Sequence, residues 1–315
     1  MENGGVEVRP EPEPRRDEGW AVVRVLLAGI CNTDLELRRG YYGFAGTPGH
    51  EFAGEVVDGG PAWLGKRVVG EINIGCRDLG WPDVCAACAA GHNRHCTRRS
   101  VLGIVRHPGA FAEFLTLPER NLWQVPDNVS TEHAIFCEPL AAALRLTAQT
   151  PVGAGGEVAV LGDGKLGLLI AQALRAKGAD VTLFGRHPGK MRIARGVRGI
   201  VGRDTLPERQ FPVVVDATGT AEGLRAAVAM TRPQGVLVMK STVHGAVEID
   251  TAPVIVNELT LIGSRCGDFG PALAMLAAGQ LNLDPMLSDQ FDLADAPRAF
   301  DRAAEKGVLK VLLRP

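Results

Sequence analysis

The sequence lacks an excess of charge of either sign, a long apolar run and an internal repeat. Its 34 basic residues nearly balance its 36 acidic residues, for a net charge of −2, so no strong field favours nucleic acid or an anionic membrane as partner. No stretch reaches the ~18 uninterrupted apolar residues of a membrane span. The polar, Pro/Glu-rich start also lacks the apolar core of a secretory signal. We therefore expect a cytoplasmic protein that binds neither membranes nor nucleic acids.

The 315 residues, 46% of them hydrophobic, suffice for two domains with separate cores. From about Trp20 to Pro126, short β-type runs are split by glycine. After Glu138, apolar strands alternate with helices, which predicts a parallel sheet covered on both faces. The last stretch reads as one helix and one strand that return to the first domain. We expect a catalytic domain over 1–139 with a cysteine lobe at 76–96, a dinucleotide-binding domain over 140–267, and a return over 268–315.

A dinucleotide-binding fingerprint follows the strand EVAVL and opens the helix LGLLIAQALRAKG. It is the G-x-G-x-x-G segment Gly162-Asp163-Gly164-Lys165-Leu166-Gly167. Gly162 permits the tight turn, Gly164 lets the backbone approach a pyrophosphate, and Gly167 lets the helix pack closely on the strand. The alternative is an ordinary glycine-rich turn between a strand and a helix.

The end of the next strand bears on the choice of cofactor. An NAD enzyme usually has an acid there for the ribose 2′-hydroxyl, whereas this chain has Gly185-Arg186-His187, with Lys190 nearby. A small residue followed by arginine suits a 2′-phosphate, so the sequence favours NADP over NAD. Alternatively, Arg186 is a solvated loop charge or stacks on the adenine of NAD.

Two residues near later strands complete the predicted cofactor set. Thr218 follows the strand PVVVDA, and Arg265 follows the strand ELTLIGS. Arg265 has two further interpretations, as a substrate contact or as part of a subunit interface. The edge of ELTLIGS is a natural place for sheet extension across a dimer.

Four of the seven cysteines lie close together with the spacing C-x8-C-x2-C-x7-C. In a long chain without a signal peptide, such a cluster favours metal over disulfides. Four thiolates predict a closed, structural zinc site, because no coordination position stays open. The alternatives are four reduced thiols, or a role for His92 or His95 as ligand. The predicted ligands are Cys76, Cys85, Cys88 and Cys96.

A second possible metal site combines residues from separate motifs. Cys31 lies in GICNTD, His50 in PGHE and Glu138 in CEPL. Sulfur, nitrogen and carboxylate ligands suit zinc, and three protein ligands leave one position open for catalysis. Taken separately, the three have ordinary interpretations as a buried thiol, a core histidine and a charge at a helix N-terminus.

Together these motifs resemble the zinc-containing medium-chain dehydrogenase/reductase family. GICNTD, PGHEFAGEV, the cysteine lobe, GAFAEFLTLPERNLWQVPDNVS, CEPL and GDGKLG occur in that family's order, from about Val22 to the C-terminus. The resemblance implies an α/β fold: a Rossmann doubly wound parallel sheet plus a β-rich, GroES-like catalytic domain. It also implies one catalytic and one structural zinc per chain, and a homodimer or homotetramer.

The resemblance also assigns roles within the second metal site. Cys31, His50 and Glu138 match the catalytic zinc ligands, and Glu51 matches an acid that can approach the metal. Asp34 matches the acid that orients the histidine ligand, and Thr33 matches the hydroxyl that relays the substrate proton. Glu36 stands where many relatives have a histidine, which leaves the exit route of the proton open.

The implied reaction is hydride transfer between NADP(H) and an alcohol or carbonyl substrate, of secondary or polyol type. The alternative is NAD-dependent oxidation of L-threonine, a polyol or a tetrapyrrole side-chain alcohol. Tyr41, Tyr42 and Phe44 either line the substrate pocket or are core aromatics. A more remote alternative is a non-catalytic sensor whose cysteine lobe binds nucleic acid. Against it, the charge at the end of the lobe is thin: Arg94, Arg98 and Arg99.

Overall fold

The computed structural model describes Met1 and residues 4–40, 43–150, 152–202, 206–242 and 246–315. The chain divides into two compact units, Met1–Glu138 with Leu287–Pro315, and Pro139–Met286. Within the described ranges, no helix is both long and apolar enough to cross a membrane.

Most strands are short, with the first, second and thirteenth the longest, and most helices span two or three turns. The strands are β1 Trp20–Ile30, β2 Glu51–Asp58, β3 Arg67–Gly70, β4 Asn73–Ile74, β5 Ser100–Leu102, β6 Arg106–His107, β7 Phe114–Pro118, β8 Leu122–Gln124, β9 Glu157–Leu161, β10 Asp180–Gly185, β11 Arg198–Val201, β12 Phe211–Asp216, β13 Thr231–Met239, β14 Thr260–Gly263, β15 Leu287–Asp292 and β16 Lys310–Arg314. The helices are α1 Asn32–Arg38, α2 Ala86–Ala89, α3 Thr131–Ala134, α4 Cys137–Leu144, α5 Lys165–Ala176, α6 Pro188–Met191, α7 Ala221–Met230, α8 Ala252–Val256, α9 Phe269–Ala277 and α10 Ala296–Ala304.

The first unit is built on a largely antiparallel sheet with the order β15-β16-β1-β2-β3-β8, in which β7 also pairs with β1. The apolar, β-branched run of β1 favours a long strand and buries most of its side chains. Gly29 of β1 lies opposite Glu51 of β2 and Leu312 of β16. The first and last strands therefore meet where one predicted site motif, GICNTD, begins and the other, PGHE, ends.

The second unit contains a parallel sheet with the order β11-β10-β9-β12-β13-β14. Numbered within the unit, this is 3-2-1-4-5-6, the doubly wound Rossmann order. Continuous apolar runs such as EVAVL form β9, because strands covered on both faces bury both sets of side chains. The predicted fold class is therefore confirmed. β14 lies at the end of this order, so the edge predicted for sheet extension is an edge of the described sheet.

The second unit extends further than the sequence suggested. We expected the return to the first domain at residue 268, whereas the compact unit runs to Met286. The helix α9 buries an apolar face that begins with Phe269. Asn282 then donates its side-chain amide to the carbonyl of Ile193, and its backbone N–H to Gln172. These contacts hold the segment after β14 on the dinucleotide-binding unit, and pattern alone does not reveal them.

The return segment is fixed to the first unit by α10. Its buried residues fall at helical spacing and end at Ala303, so that one apolar stripe faces the sheet. Phe300, fully buried, packs edge-to-face on Phe111 with ring centroids 5.7 Å apart. Phe111 in turn occupies the space beside Gly49, where a Cβ would lie 2.6 Å from the ring. The packing of α10 thus supports the loop that carries His50.

We predict that Phe300→Ala destabilises the first unit. Removing a buried aromatic ring costs about 3–5 kcal/mol, through lost transfer energy and the cavity that remains. The thermal unfolding midpoint should fall by several degrees in calorimetry. Trp123→Ala is the control, since Trp123 is 39% exposed and its loss leaves no cavity. Equal shifts in the two variants would contradict the assigned role of α10.

Candidate metal centres and dinucleotide site

The four lobe cysteines converge on one point. Their sulfurs all lie within 4.8 Å of one another, with Cys76 and Cys96 3.3 Å apart and Cys85 and Cys96 3.8 Å apart. Zinc–sulfur bonds of about 2.3 Å in a tetrahedron separate the sulfurs by about 3.8 Å. The donor set therefore fits a tetrahedral zinc ion. Cys76 belongs to the group although eight residues separate it from Cys85.

The protonation of the lobe cysteines and the hydrogen bonds to their sulfurs also suit a bound cation. Backbone N–H groups of Cys88 and Thr97 lower the pKa of Cys85 to about 6, whereas burial raises the pKa of Cys88 to about 12. A bound cation replaces the protons that such buried thiols keep. Arg98 donates to the sulfur of Cys76 at 3.2 Å and lies over the ring of Trp81. Trp81, between Cys76 and Cys85, thus packs on the lobe through Arg98.

The two lobe histidines stay outside this group. The side chains of His92 and His95 are exposed, with ring centroids 6.5 Å apart. Neither belongs to a cluster of metal-binding type among the described residues. The four cysteines alone supply a complete donor set.

The second cluster lies where β1, α1 and β2 meet. Cys31 precedes α1, and His50 and Glu51 stand at the start of β2; one ligand atom from each lies within 4.8 Å of the others. His50 and Glu51 are almost fully buried, and Cys31 is half-buried. Thiolate, imidazole and carboxylate are a zinc-type donor set.

Asp34 holds this cluster in place. Its Oδ2 accepts the backbone N–H of Cys31 at 2.8 Å, and its Oδ1 lies 3.4 Å from Nδ1 of His50. Burial acts to lower the pKa of His50, but Asp34 and Cys31 outweigh it and raise the pKa. Oδ1 of Asp34 and Nδ1 of His50 are both buried without a hydrogen-bond partner in this geometry. A carboxylate facing one imidazole nitrogen leaves the other available for a metal.

Glu138 lies near the cluster but outside the group of three. It stands in the first turn of α4, and its pKa is raised to about 7 by burial, against the attraction of His50. Repulsion from Glu51 and Glu71 adds to the increase. The structure therefore places two carboxylates near the cysteine and histidine. Glu51 is the nearer of the two, although the sequence had pointed to Glu138.

Lys310 is the residue of this site that sequence reasoning missed. It lies in β16, is 2% exposed, and forms an ion pair with Glu51. Burial acts to lower its pKa, but Glu51, Cys31 and Asp34 together raise it, so the ammonium stays charged. A Cβ at Gly29 would lie 2.6 Å from Cγ2 of Ile135 and 2.9 Å from Oε2 of Glu51, so that glycine leaves room for the packing around the pair. The available signal was a single lysine inside the apolar run VLKVLL.

The remaining residues predicted for this site are distributed around it. Thr33 lies in α1 with its hydroxyl 3.9 Å from the sulfur of Cys31. Glu36, at the open end of the implied relay, forms an ion pair with Arg39 at 2.6 Å. Phe44 is half-buried. Tyr41 and Tyr42 lie outside the described residues.

The glycine-rich turn between β9 and α5 has the geometry of a dinucleotide cradle. Gly162 adopts a φ of 110°, which other residues rarely reach. A Cβ at Gly167 would lie 1.9 Å from the carbonyl oxygen of Gly162, whereas Gly164 faces open space. The turn thus leaves the N-terminus of α5 accessible to a pyrophosphate. Lys165 and Leu166, both half-buried, form its first turn.

Asp163 connects this turn to the end of β10. Its Oδ2 accepts the backbone N–H groups of Arg186 at 2.8 Å and His187 at 2.6 Å. The imidazole of His187 lies 3.0 Å from the same oxygen. The side chain of Arg186 is exposed, and Lys190 lies half-buried in α6. Gly185 ends the strand, so no acid stands there.

The two other predicted cofactor residues take part in local networks. Thr218 donates its hydroxyl to Asp216 at 2.7 Å and accepts the backbone N–H of Thr220. Arg265 is exposed, and its carbonyl accepts a hydrogen bond from Lys240 at 2.9 Å. Thr218 thus follows β12, and Arg265 follows β14, at the carboxyl ends of the parallel strands, where ligands of such sheets bind.

Comparison with known proteins decides the family. The alcohol dehydrogenase GroES-like domain matches residues 17–127, and the zinc-binding dehydrogenase domain matches residues 166–278. An L-threonine 3-dehydrogenase from Streptomyces coelicolor is 30% identical over 329 residues, covering 96% of this chain and 94% of its own. The chain belongs to the zinc-containing medium-chain dehydrogenase/reductase family. As a member of this family, it is a zinc-dependent, NAD(P)-dependent oxidoreductase of the alcohol dehydrogenase type.

Two further relatives show how much the family varies. A sorbitol dehydrogenase from Halalkalibacterium halodurans is 26% identical over 339 residues, covering 99% of this chain and 96% of its own. A protein from Sinorhizobium meliloti 1021, described as a zinc-binding dehydrogenase and crystallised with NADP, superposes with a TM-score of 0.87 at 31% identity. That match covers 99% of this chain and 97% of the relative. Names within the family span polyol and amino-alcohol oxidation, so membership does not fix the substrate.

We predict that Cys88→Ser removes one zinc ion per chain and unfolds the lobe. Cys88 is fully buried among the other three sulfurs, and metal binding supplies folding free energy to such small lobes. Zinc content by plasma mass spectrometry should fall by one equivalent, with a lower thermal midpoint. Cys266→Ser, in the other unit, is the matched control and should keep its zinc. Full zinc content in Cys88→Ser would contradict a four-cysteine site.

Proposed function

We propose that this chain oxidises secondary or polyol-type alcohols, or reduces the corresponding carbonyls, with NADP(H), using one catalytic and one structural zinc ion. The convergence of Cys31, His50 and two carboxylates beside the hydroxyl of Thr33 carries the proposal. When bound, zinc supplies Lewis-acid activation of the substrate oxygen, and the nicotinamide accepts or donates the hydride.

The residues around the zinc site would prepare the substrate. Cys31 and His50 would hold the metal, with Asp34 fixing the imidazole so that one nitrogen stays available. Thr33 would accept a hydrogen bond from the substrate hydroxyl and pass its proton toward solvent. The ion pair of Glu36 with Arg39 replaces the histidine that many relatives have, so a proton leaving by this side would reach a charged pair at the surface.

Two carboxylates compete for the role of third ligand, and charge distinguishes them. Glu51 is already compensated by the buried ammonium of Lys310, whereas Glu138 has a raised pKa and no ion pair of its own among the described contacts. A cation would remove the proton from Glu138 and stabilise its charge. We therefore assign Glu138 as the third ligand and Glu51 as the acid that stays beside it.

Substitution of each acid by its amide separates the two roles. Glu138→Gln should lose the catalytic zinc equivalent while its thermal midpoint changes little. Glu51→Gln should keep both zinc equivalents but unfold at a lower temperature, because it leaves the charge of Lys310 buried and unpaired; breaking such a pair costs about 3–5 kcal/mol. Zinc analysis and calorimetry check both.

Two results bear on this assignment. Adding Lys310→Met to Glu51→Gln should restore most of the lost midpoint, because an apolar pair can replace a buried ion pair. If Glu51→Gln loses zinc and Glu138→Gln retains it, then Glu51 is the ligand and our assignment is wrong.

The choice of NADP rests on the end of β10. Gly185 provides no acid for a ribose 2′-hydroxyl, and the exposed Arg186 can pair with a 2′-phosphate through two parallel hydrogen bonds. The NADP bound to the Sinorhizobium meliloti relative supports the choice. A cytoplasmic location and a homodimer or homotetramer assembled at the edge of β14 are further parts of the proposal.

Activity assays test the proposal directly. A panel of secondary alcohols, polyols and L-threonine with NADP⁺ and with NAD⁺ should give the higher kcat/KM with NADP⁺ and a polyol-type substrate. Cys31→Ala and His50→Ala should each abolish turnover but keep wild-type affinity for NADP⁺ in fluorescence titrations. Full turnover in both variants would exclude the assigned zinc site, and a preference for NAD⁺ with threonine would favour the alternative reaction.

A further inference from the structure

The loop after β10 is fastened to the glycine-rich turn by one side chain. Asp163 is 8% exposed and accepts three hydrogen bonds from this loop: the N–H groups of Arg186 and His187, and the imidazole of His187. Burial acts to raise the pKa of Asp163, but these contacts outweigh it and lower the pKa. The carboxylate is therefore charged, and the groups that stabilise this charge belong to the loop after β10.

The same side chain occupies the space in which a side chain at position 185 would begin. A Cβ built on Gly185 would lie 2.7 Å from Cβ, 2.8 Å from Oδ2 and 2.9 Å from Cγ of Asp163. All three nearest atoms belong to this one residue. Gly185 is not one of the described glycines with a positive φ. Glycine is therefore required here because a side chain has no space, and not because of the backbone conformation.

This occlusion affects cofactor choice. Position 185 is the end of the second strand of the Rossmann order, where an acid binds the ribose 2′-hydroxyl of NAD. An acid there would overlap with Asp163 and would also place two carboxylates in contact. We propose that Asp163 is a specificity-determining residue. It keeps the end of β10 free of a side chain and holds the Arg186–His187 backbone, and thereby maintains the preference for a 2′-phosphorylated cofactor. The second part of this inference rests on the proposed use of NADP.

The steric part is tested on the protein without cofactor. Gly185→Ala should lower the thermal midpoint by several degrees, because the added methyl group would overlap with atoms that already fill this space. In the Asp163→Gly background, which removes the overlapping atoms, Gly185→Ala should cost little. Additive midpoints in this double-mutant cycle would overturn the occlusion.

Two controls isolate the effect. Gly189→Ala places a methyl group in α6, directly after this loop, where the nearest side-chain atom beyond the adjacent residues is 3.8 Å away, and should leave the midpoint unchanged. Asp180→Gly introduces a glycine at the exposed start of β10 and measures the general cost of added backbone freedom.

The specificity part is tested by calorimetric binding of two adenosine probes, adenosine 2′,5′-bisphosphate and 5′-AMP. The wild type should prefer the bisphosphate. Gly185→Asp alone should unfold at a lower temperature and bind both probes weakly. Asp163→Gly/Gly185→Asp should recover stability and reverse the preference toward 5′-AMP, a swing of at least about tenfold, or 1.4 kcal/mol.

Two outcomes would overturn parts of the inference separately. If Asp163→Gly weakens 5′-AMP and strengthens the bisphosphate, then Asp163 itself contacts the ribose 2′-hydroxyl and the specificity role is wrong. If the stability cycle shows coupling but the wild type prefers 5′-AMP, the occlusion holds. In that case the proposed use of NADP fails, and the specificity role fails with it.

Discussion

A buried cluster of acidic side chains around one imidazole is the constraint on which the first unit depends. Cys31, Asp34, Glu51 and Glu138 all act on His50 or on one another, and they lie at or near the starts of three elements, α1, β2 and α4. Unpaired charges at such depth cost several kcal/mol each. The surrounding structure must therefore supply positive charge, and it does so through Lys310 and through a donor set that suits a cation.

This constraint gives a physical reason for the discontinuous first unit. Lys310 reaches Glu51 because β16 pairs with β1, and β1 pairs with β2, so three strands remote in sequence lie side by side. The helix α10 delivers β16 to this place and packs Phe300 on Phe111, behind the loop of His50. The chain must therefore return from the second unit before the charge of the site is balanced. The site is therefore complete only where the C-terminal strand β16 pairs with β1.

The sequence predicted the features that depend on residues close together in the chain. It missed the contacts between residues that are far apart in the chain. The cysteine cluster, the glycine-rich turn and the alternation of apolar strands with helices are contiguous patterns, and the structure brings each together as expected. The pair of Lys310 with Glu51 joins residues 259 positions apart, and no local period reveals it. The end of the second unit was misplaced for the same reason, because Asn282 is held by hydrogen bonds to Gln172 and Ile193.

Two glycines are explained by the side chains beside them and not by their own backbone conformation. Gly29 lies beside the carboxylate of Glu51 and Gly185 beside that of Asp163, and a Cβ added at either glycine would lie only 2.9 Å and 2.8 Å from the respective oxygens. Neither is one of the described glycines with a positive φ. A left-handed turn conformation therefore does not explain why glycine stands at these two positions. Each instead leaves space beside a carboxylate and its partners: an ammonium at one site, an imidazole and two backbone N–H groups at the other. A glycine at the end of a strand can therefore indicate a buried acid on the neighbouring element, and that acid is the residue to look for when such a sequence is interpreted.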